Sequence, residues 1–327
     1  MNRREFSVAA ASAAAASLIS TRGIGGPIAP VKAHNVVLVH GLFADGSSWS
    51  EVIPRLQSAG LNVTSVQNPL TTFPEAVASA KRVLDRQDGP TVLAGHSFSG
   101  MIVTEAGVHP NVSAVVYVAA RAPDAGEDYT ALARRFPTPP ASAGIVFDGD
   151  EGRLSEEAFL RDFAGDLPEA KAKVLYAVQE PFRKELLAGK TSNAAWRSKP
   201  SFYAVSADDR TINPDLQRFM AKRMGAKTIE VKASHVSLIS HPEVVAKLIL
   251  EAAGLSTSLM AAAPKSPISV GLGIDGRCVQ APVVALKAKQ VVFEPQTQKL
   301  LPITAPAHLT PAGNGFGRVL QVAETVL

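Results

Sequence analysis

Short apolar runs alternate along the first three quarters of the chain with longer stretches in which apolar residues recur three or four positions apart. The clearest runs are Asn35-Val36-Val37-Leu38-Val39, Thr91-Val92-Leu93-Ala94 and Ala114-Val115-Val116-Tyr117-Val118-Ala119-Ala120, with further strand-like pieces at 62–67, 201–206 and 228–231. A run that is apolar at every position and rich in valine suits a parallel strand covered on both faces. Helices are predicted between them over 48–59, stopped by Gly60, and over 74–85, where Val77, Ala80, Val83 and Leu84 form the apolar stripe. Others run from the small residues Ser99 and Gly100 to near His109, from Asn213-Pro214 to about Met224, and from Pro242 to Ala253 with Gly254 as the stop. Six strands alternating with helices predict an α/β fold with a doubly wound, mostly parallel sheet and right-handed crossovers.

The alternation lapses twice. Residues 121–199 give a Pro-rich loop (Phe136-Pro137-Thr138-Pro139-Pro140) and a hairpin turned by Asp148-Gly149-Asp150. Short helices follow, one from near Ser155 and one from Pro168, with Asp166 as a possible cap. An insertion at the carboxyl end of a strand lies where α/β sheets bind ligands, so this one reads as a cap over a site. Residues 255–327 are rich in Pro, Ala and Val, with strand-like pieces at 281–286 and 291–293 and no strong motif. The domain reading is 1–33 as signal and linker, 34–254 as the main domain and 255–327 as an appendage.

The amino terminus changes the expected location. Arg3 and Arg4 precede an uncharged Ala/Ser-rich run over 7–21, followed by Arg22 and a Gly/Pro segment, a pattern that resembles a twin-arginine export signal. The run is short beside the roughly 20 residues a membrane span needs, so the expectation is a periplasmic or secreted protein with no span after processing. With 46% hydrophobic and 19% charged residues the chain can build a full core. The net charge of +4 comes without a dense basic run interleaved with aromatics, which argues against nucleic-acid binding. A single cysteine, Cys278, rules out an internal disulfide or a Cys-rich zinc site.

Chemistry concentrates at Gly95-His96-Ser97-Phe98-Ser99-Gly100, between a strand and a helix. A serine on a sharp strand-to-helix turn needs small neighbours, because bulk two residues away would collide with the adjoining elements. Such a turn lifts the hydroxyl out of the sheet and aims the next N–H, that of Phe98, at an anion forming beside it. The fifth place of the G-x-S-x-G pattern is Ser99, small enough to fit. An unperturbed hydroxyl is a weak nucleophile and needs a base and an orienting acid. Of seven histidines, His235 stands just after the last strand, and both Asp208 and Asp209 just after the strand before it. Serine, then aspartate, then histidine is the chain order of one known triad arrangement.

These residues, with His40-Gly41-Leu42-Phe43, Asp45-Gly46-Ser47-Ser48-Trp49, Gln67-Asn68-Pro69-Leu70, Asp209-Arg210-Thr211-Ile212 and Ser234-His235-Val236, resemble the α/β-hydrolase fold family over about 35–254. More narrowly they resemble its small-capped esterase branch of pyrethroid hydrolases, plant methylesterases and hydroxynitrile lyases. The resemblance implies a serine hydrolase acting on small-molecule carboxylic esters without metal or organic cofactor. Its implied triad is Ser97, His235 and Asp209, with the backbone N–H groups of Leu42 and Phe98 as the oxyanion hole; it is the family pattern that selects Asp209 over Asp208. The related lyases carry a lysine directly after the catalytic histidine, and here that place is Val236, which disfavours lyase chemistry. A ligand-binding relative without catalysis is disfavoured by the intact Ser, His and Asp.

Overall fold

The computed structural model describes residues 32–255 and, beyond them, the backbone of two strands. The export-signal segment and the strand-like piece at 291–293 lie outside the described residues.

In chain order the first half runs β1 (Asn35–Val39), α1 (Ile53–Ser58), β2 (Asn62–Val66), α2 (Phe73–Leu84), β3 (Thr91–His96), α3 (Gly100–Ala106) and β4 (Val112–Val118). An insertion follows, made of α4 (Tyr129–Ala133), the hairpin β5 (Ile145–Asp148) and β6 (Glu151–Leu154), α5 (Glu156–Ala158), α6 (Glu169–Ala177) and β7 (Phe182–Arg183). The alternation resumes with β8 (Ser201–Ser206), α7 (Pro214–Arg223), β9 (Lys227–Val231), α8 (Ser237–Ser240) and α9 (Pro242–Ala252). A separate unit holds the antiparallel pair β10 (Ser269–Ile274) and β11 (Arg277–Pro282). Of the strand-like piece read at 281–286, Ala281 and Pro282 form the end of β11 and the rest lies outside the described residues.

The main sheet has the order β2-β1-β3-β4-β8-β9, and every pairing in it is parallel. Burial explains why some strands were easy to read. β1, β3 and β8 are buried at every position, whereas the edge strands β2 and β9 bury only their last residue fully. A central strand covered on both faces must be apolar throughout, while an edge strand tolerates the mixed composition of Asn62–Val66. The register lines up the carboxyl ends: Val39 pairs with both Val66 and Gly95, His96 with Val118, and Ser206 with Val231. The residues that follow β1, β3, β4, β8 and β9 therefore emerge along one edge of the sheet.

Local chemistry shortens several predicted elements. The helix expected over 48–59 is a 3₁₀ turn, Gly46–Trp49, followed by α1. Pro54 has no N–H to donate and is accepted only in a first helical turn, so α1 starts at Ile53 rather than passing through. The helix after Ser97 ends at Ala106 rather than near His109; Pro110 disfavours helical backbone at the residue before it. The helix expected from near Ser155 is the single turn α5, which runs on into a π-helical turn, Phe159–Phe163. Asp166 does not cap the next helix. Pro168 holds the cap position of α6 without a side-chain bond, and the Asp166 carboxylate is taken by the loop before His235.

Candidate active site

Ser97 follows β3 directly and opens a 3₁₀ turn, Ser97–Ser99, with a backbone φ of 58°. A non-glycine residue in the left-handed region is costly and marks a conformation that its surroundings impose. Close packing on both sides imposes it here. A Cβ on Gly95 would stand 2.6 Å from a Val103 methyl, and one on Gly100 would stand 2.0 Å from the Arg121 carbonyl oxygen. Gly100 is thus the glycine that the turn requires on its helix side, one place later than the G-x-S-x-G pattern puts it. The intervening Ser99 does more than fit. Its hydroxyl accepts the His96 N–H at 3.1 Å and lies 2.8 Å from the carbonyls of Val39 and His96, tying the turn to the end of β1.

The Ser97 hydroxyl lies 2.8 Å from His235 Nε2, and His235 Nδ1 lies 2.7 Å from Asp209 Oδ2. All three side chains are buried, Ser97 retaining 6% exposure and His235 none. Asp209 is enclosed while its neighbour Asp208 faces solvent, so only one of the two carboxylates meets the imidazole. The other Asp209 oxygen accepts the N–H groups of Thr211 at 2.7 Å and Ile212 at 3.0 Å. Gln217, buried in α7, donates Nε2 to Asp209 Oδ2 at 2.7 Å and to the Ile212 carbonyl at 2.9 Å, and accepts the Ser206 N–H at 3.1 Å. Four donors therefore compensate one buried carboxylate, as a charge removed from water requires. With Asp209 accepting at Nδ1, the proton of a neutral His235 sits on that nitrogen and the Nε2 lone pair faces Ser97.

Sequence reasoning missed Gln217; its only trace was a polar position beside Leu216 in an otherwise apolar stripe of α7. It also missed how the insertion holds both loops. Ser234, next to His235, donates its N–H to Asp166 at 3.0 Å and its hydroxyl to the same carboxylate. Arg210, next to Asp209, donates to the buried Asp162 at 2.6 Å, and Thr211 donates to the Asp162 carbonyl at 3.2 Å. Arg161 is the main reason the Asp162 carboxyl is held below its usual range, with Arg210 adding to it. Phe163, from the π-helical turn, covers the imidazole with ring centroids 5.1 Å apart and meets Phe43 edge-on at 5.8 Å. An apolar recess beside His96 is lined by Phe43, Phe159, Phe163, Leu175, Val178 and Val236.

The loop after β1 closes against the serine. A Cβ on Gly41 would stand 2.7 Å from Ser97 Cβ, so only glycine lets residues 41–43 pass this near. Phe43 takes a φ of 62° as the loop turns away. Among the described residues, neither the Leu42 N–H nor the Phe98 N–H donates a hydrogen bond. His40 donates Nδ1–H to the Gly41 carbonyl at 2.9 Å, shaping the loop rather than facing Ser97. His96 donates Nε2–H to the backbone carbonyl of His235 at 3.0 Å and packs its ring 4.7 Å from the His235 ring.

A parallel sheet with Ser, His and Asp brought together at its carboxyl edge has a counterpart among known proteins: residues 36–248, well over half the chain, match the alpha/beta hydrolase family. The chain belongs to that family. It is 26% identical over 254 residues to putative methylesterase 19 of Arabidopsis thaliana, covering 66% of this chain and 96% of the relative. It is 23% identical over 273 residues to a pyrethroid hydrolase of Sphingobium wenxiniae, covering 74% and 95%. The crystal structure of polyneuridine aldehyde esterase superposes with a TM-score of 0.57 at 20% identity, covering 66% of this chain and 98% of that one. The doubly wound, parallel sheet expected from the alternation of strands and helices, and the alpha/beta hydrolase fold and esterase branch implied by the resemblance of the motifs, agree with these relatives.

Two buried histidines give this alpha/beta hydrolase a pH-dependent stability. Burial holds His40 below the ordinary imidazole value of about 6.5 and holds His96 well below it, the neighbouring His235 adding to the effect on His96. The unfolded chain then binds protons below about pH 6.5 that the folded state refuses, so stability is full above that value and falls as the pH drops. Each histidine contributes up to about 1.4 kcal/mol per pH unit in that window. Urea unfolding at about pH 7.5 and about pH 5.5 should show a smaller loss in His96→Gln than in wild type. Equal losses in the two proteins would contradict the assignment to His96.

Proposed function

We propose that the protein is a serine esterase that cleaves carboxylic esters of small molecules through an acyl-enzyme. The observation that carries this reading is the continuous relay from Ser97 Oγ to His235 Nε2 at 2.8 Å and from His235 Nδ1 to Asp209 at 2.7 Å. In the proposed reaction Ser97 Oγ attacks the ester carbonyl while His235 Nε2 takes its proton. Asp209 holds the imidazole in the tautomer that can accept, and stabilises the imidazolium that forms. The tetrahedral oxyanion takes hydrogen bonds from the Leu42 and Phe98 N–H groups, each worth about 10²–10³ in rate by analogy with measured oxyanion donors. His235 then protonates the departing alcohol, a water molecule attacks the acyl-serine with His235 again as base, and the carboxylate leaves with Ser97 restored.

Support for ester substrates comes from the family and from relatives described as a methylesterase and a pyrethroid hydrolase. The aromatic recess beside His96 suits an apolar portion of such an ester. A fluorophosphonate probe tests the reading directly. The probe should bond covalently to Ser97, found on the peptide that contains it, and Ser97→Ala should remain unlabelled. A folded wild-type protein that resists the probe would count against a serine hydrolase.

A further inference from the structure

Arg121 is the first charged residue beyond β4, on the edge of the sheet that carries Ser97, and its own N–H donates to the Ser97 carbonyl at 2.9 Å. Its side chain runs beneath the insertion, with the guanidinium carbon 4.6 Å from the ring centre of Tyr129 and 5.3 Å from that of Phe98. These two rings fix the guanidinium by cation–π contact without neutralising it. Among the described residues no carboxylate pairs with it, and burial draws its pKa down with only Tyr129 acting against that. A largely buried cation without a counter-ion is costly. It is kept most readily where a ligand brings the opposite charge.

Arg121 lines a cavity of about 200 Å³ that Arg134, Lys190 and Asp128 also line. Asp128 is already engaged: its carboxylate accepts the Ala131 N–H at 3.1 Å as the cap of α4 and lies in the field of Lys190 and Arg134. Three cations against one committed carboxylate leave the cavity positive. A planar guanidinium with a free donor edge matches a carboxylate better than a spherical anion, because two parallel N–H···O bonds form at once.

We propose that this cavity binds a free carboxylate of the substrate, making the substrate an ester that carries a second, unesterified acid group a few atoms from the scissile carbonyl. The proposal rests on the esterase reading and names the class of ester. Arg121 and the cavity recognise the acid group, and Ser97, tied to Arg121 through the backbone, meets the ester carbonyl.

The test compares 4-nitrophenyl half-esters of succinic, glutaric and adipic acid with their neutral methyl 4-nitrophenyl diesters, in wild type and Arg121→Met. Wild type should favour the best half-ester over its neutral partner by about tenfold or more in kcat/KM, and Arg121→Met should lower that ratio by about 10–100-fold, mainly through KM. Arg121→Lys should recover part of it. A ratio that Arg121→Met leaves unchanged would overturn the proposal. A second arm measures glutarate binding by calorimetry in Ser97→Ala, with and without Arg121→Met. Binding weakened about tenfold by Arg121→Met supports the site even if neither ester turns over, an outcome that would fault the esterase reading instead. Glutarate binding indifferent to Arg121, or inorganic phosphate binding as tightly as glutarate, would overturn it.

Discussion

Ser97→Ala should lose ester turnover by about 10⁴-fold or more while unfolding at nearly the wild-type denaturant concentration. The separation of the two effects follows from the surroundings of the side chain. Among the described residues the Ser97 hydroxyl bonds only to His235 Nε2, whereas the turn itself is held by Ser99 and by the backbone bond from Arg121 to the Ser97 carbonyl. An alanine keeps the Cβ that packs against Gly41 and removes one oxygen. The left-handed backbone at this residue is as costly for alanine as for serine, so strain does not change. Retention of more than a few per cent of the turnover by a well-folded variant would remove Ser97 from the reaction.

Asp209→Asn should cost at least about 10² in kcat and up to about 10⁴, the loss that an amide in this role produces in a serine protease. An asparagine can present its NH₂ to His235 Nδ1, which forces the imidazole proton onto Nε2 and blocks its use as a base. The same change also unsettles the acid loop, since Thr211, Ile212 and Gln217 all donate to the native carboxylate. Asp208→Asn makes the contrasting case. That side chain faces solvent, and among the described residues the bond made here is that of the backbone N–H, which donates to the Ala233 carbonyl at 3.1 Å. Its kcat should stay within about threefold of wild type, an effect below 1 kcal/mol. Steady-state rates for the two variants on one ester decide the matter, and a reversal of their order would contradict the relay.

How much of this was legible in the sequence depended on how local the governing forces are. β1, β3 and β4 announced themselves because burial on both faces demands apolar residues at nearly every position. The turn at Ser97 was legible for a similar reason, since backbone crowding at Gly95 and Gly100 leaves no room for side chains. The resemblance to a known family favoured Asp209 over Asp208, a choice that adjacency in sequence left open. What could not be read was contact across long stretches of chain. Asp162 and Asp166, from the insertion, grip the loops around Asp209 and His235, and no local pattern distinguishes these carboxylates from solvated ones. Asp166 looked like a helix cap because it stands two places before Pro168, yet the Ser234 N–H and hydroxyl claim it instead. The short helix read from near Ser155 likewise gave no sign of the π-helical turn that sets Phe163 over the imidazole. Arg121 was unreadable for the same reason, because its lack of a partner is a property of the folded surroundings.

The central claim is that Ser97 carries the acyl group between two half-reactions, and its most direct test is to stop turnover part-way. Wild-type protein mixed with excess 4-nitrophenyl acetate and quenched in acid before steady state should release a burst of nitrophenol. Its digest should then show one acetyl group, on the Ser97 peptide alone. An unmodified Ser97 peptide during active turnover, or acetyl found on another residue in proportion to the burst, would contradict the mechanism.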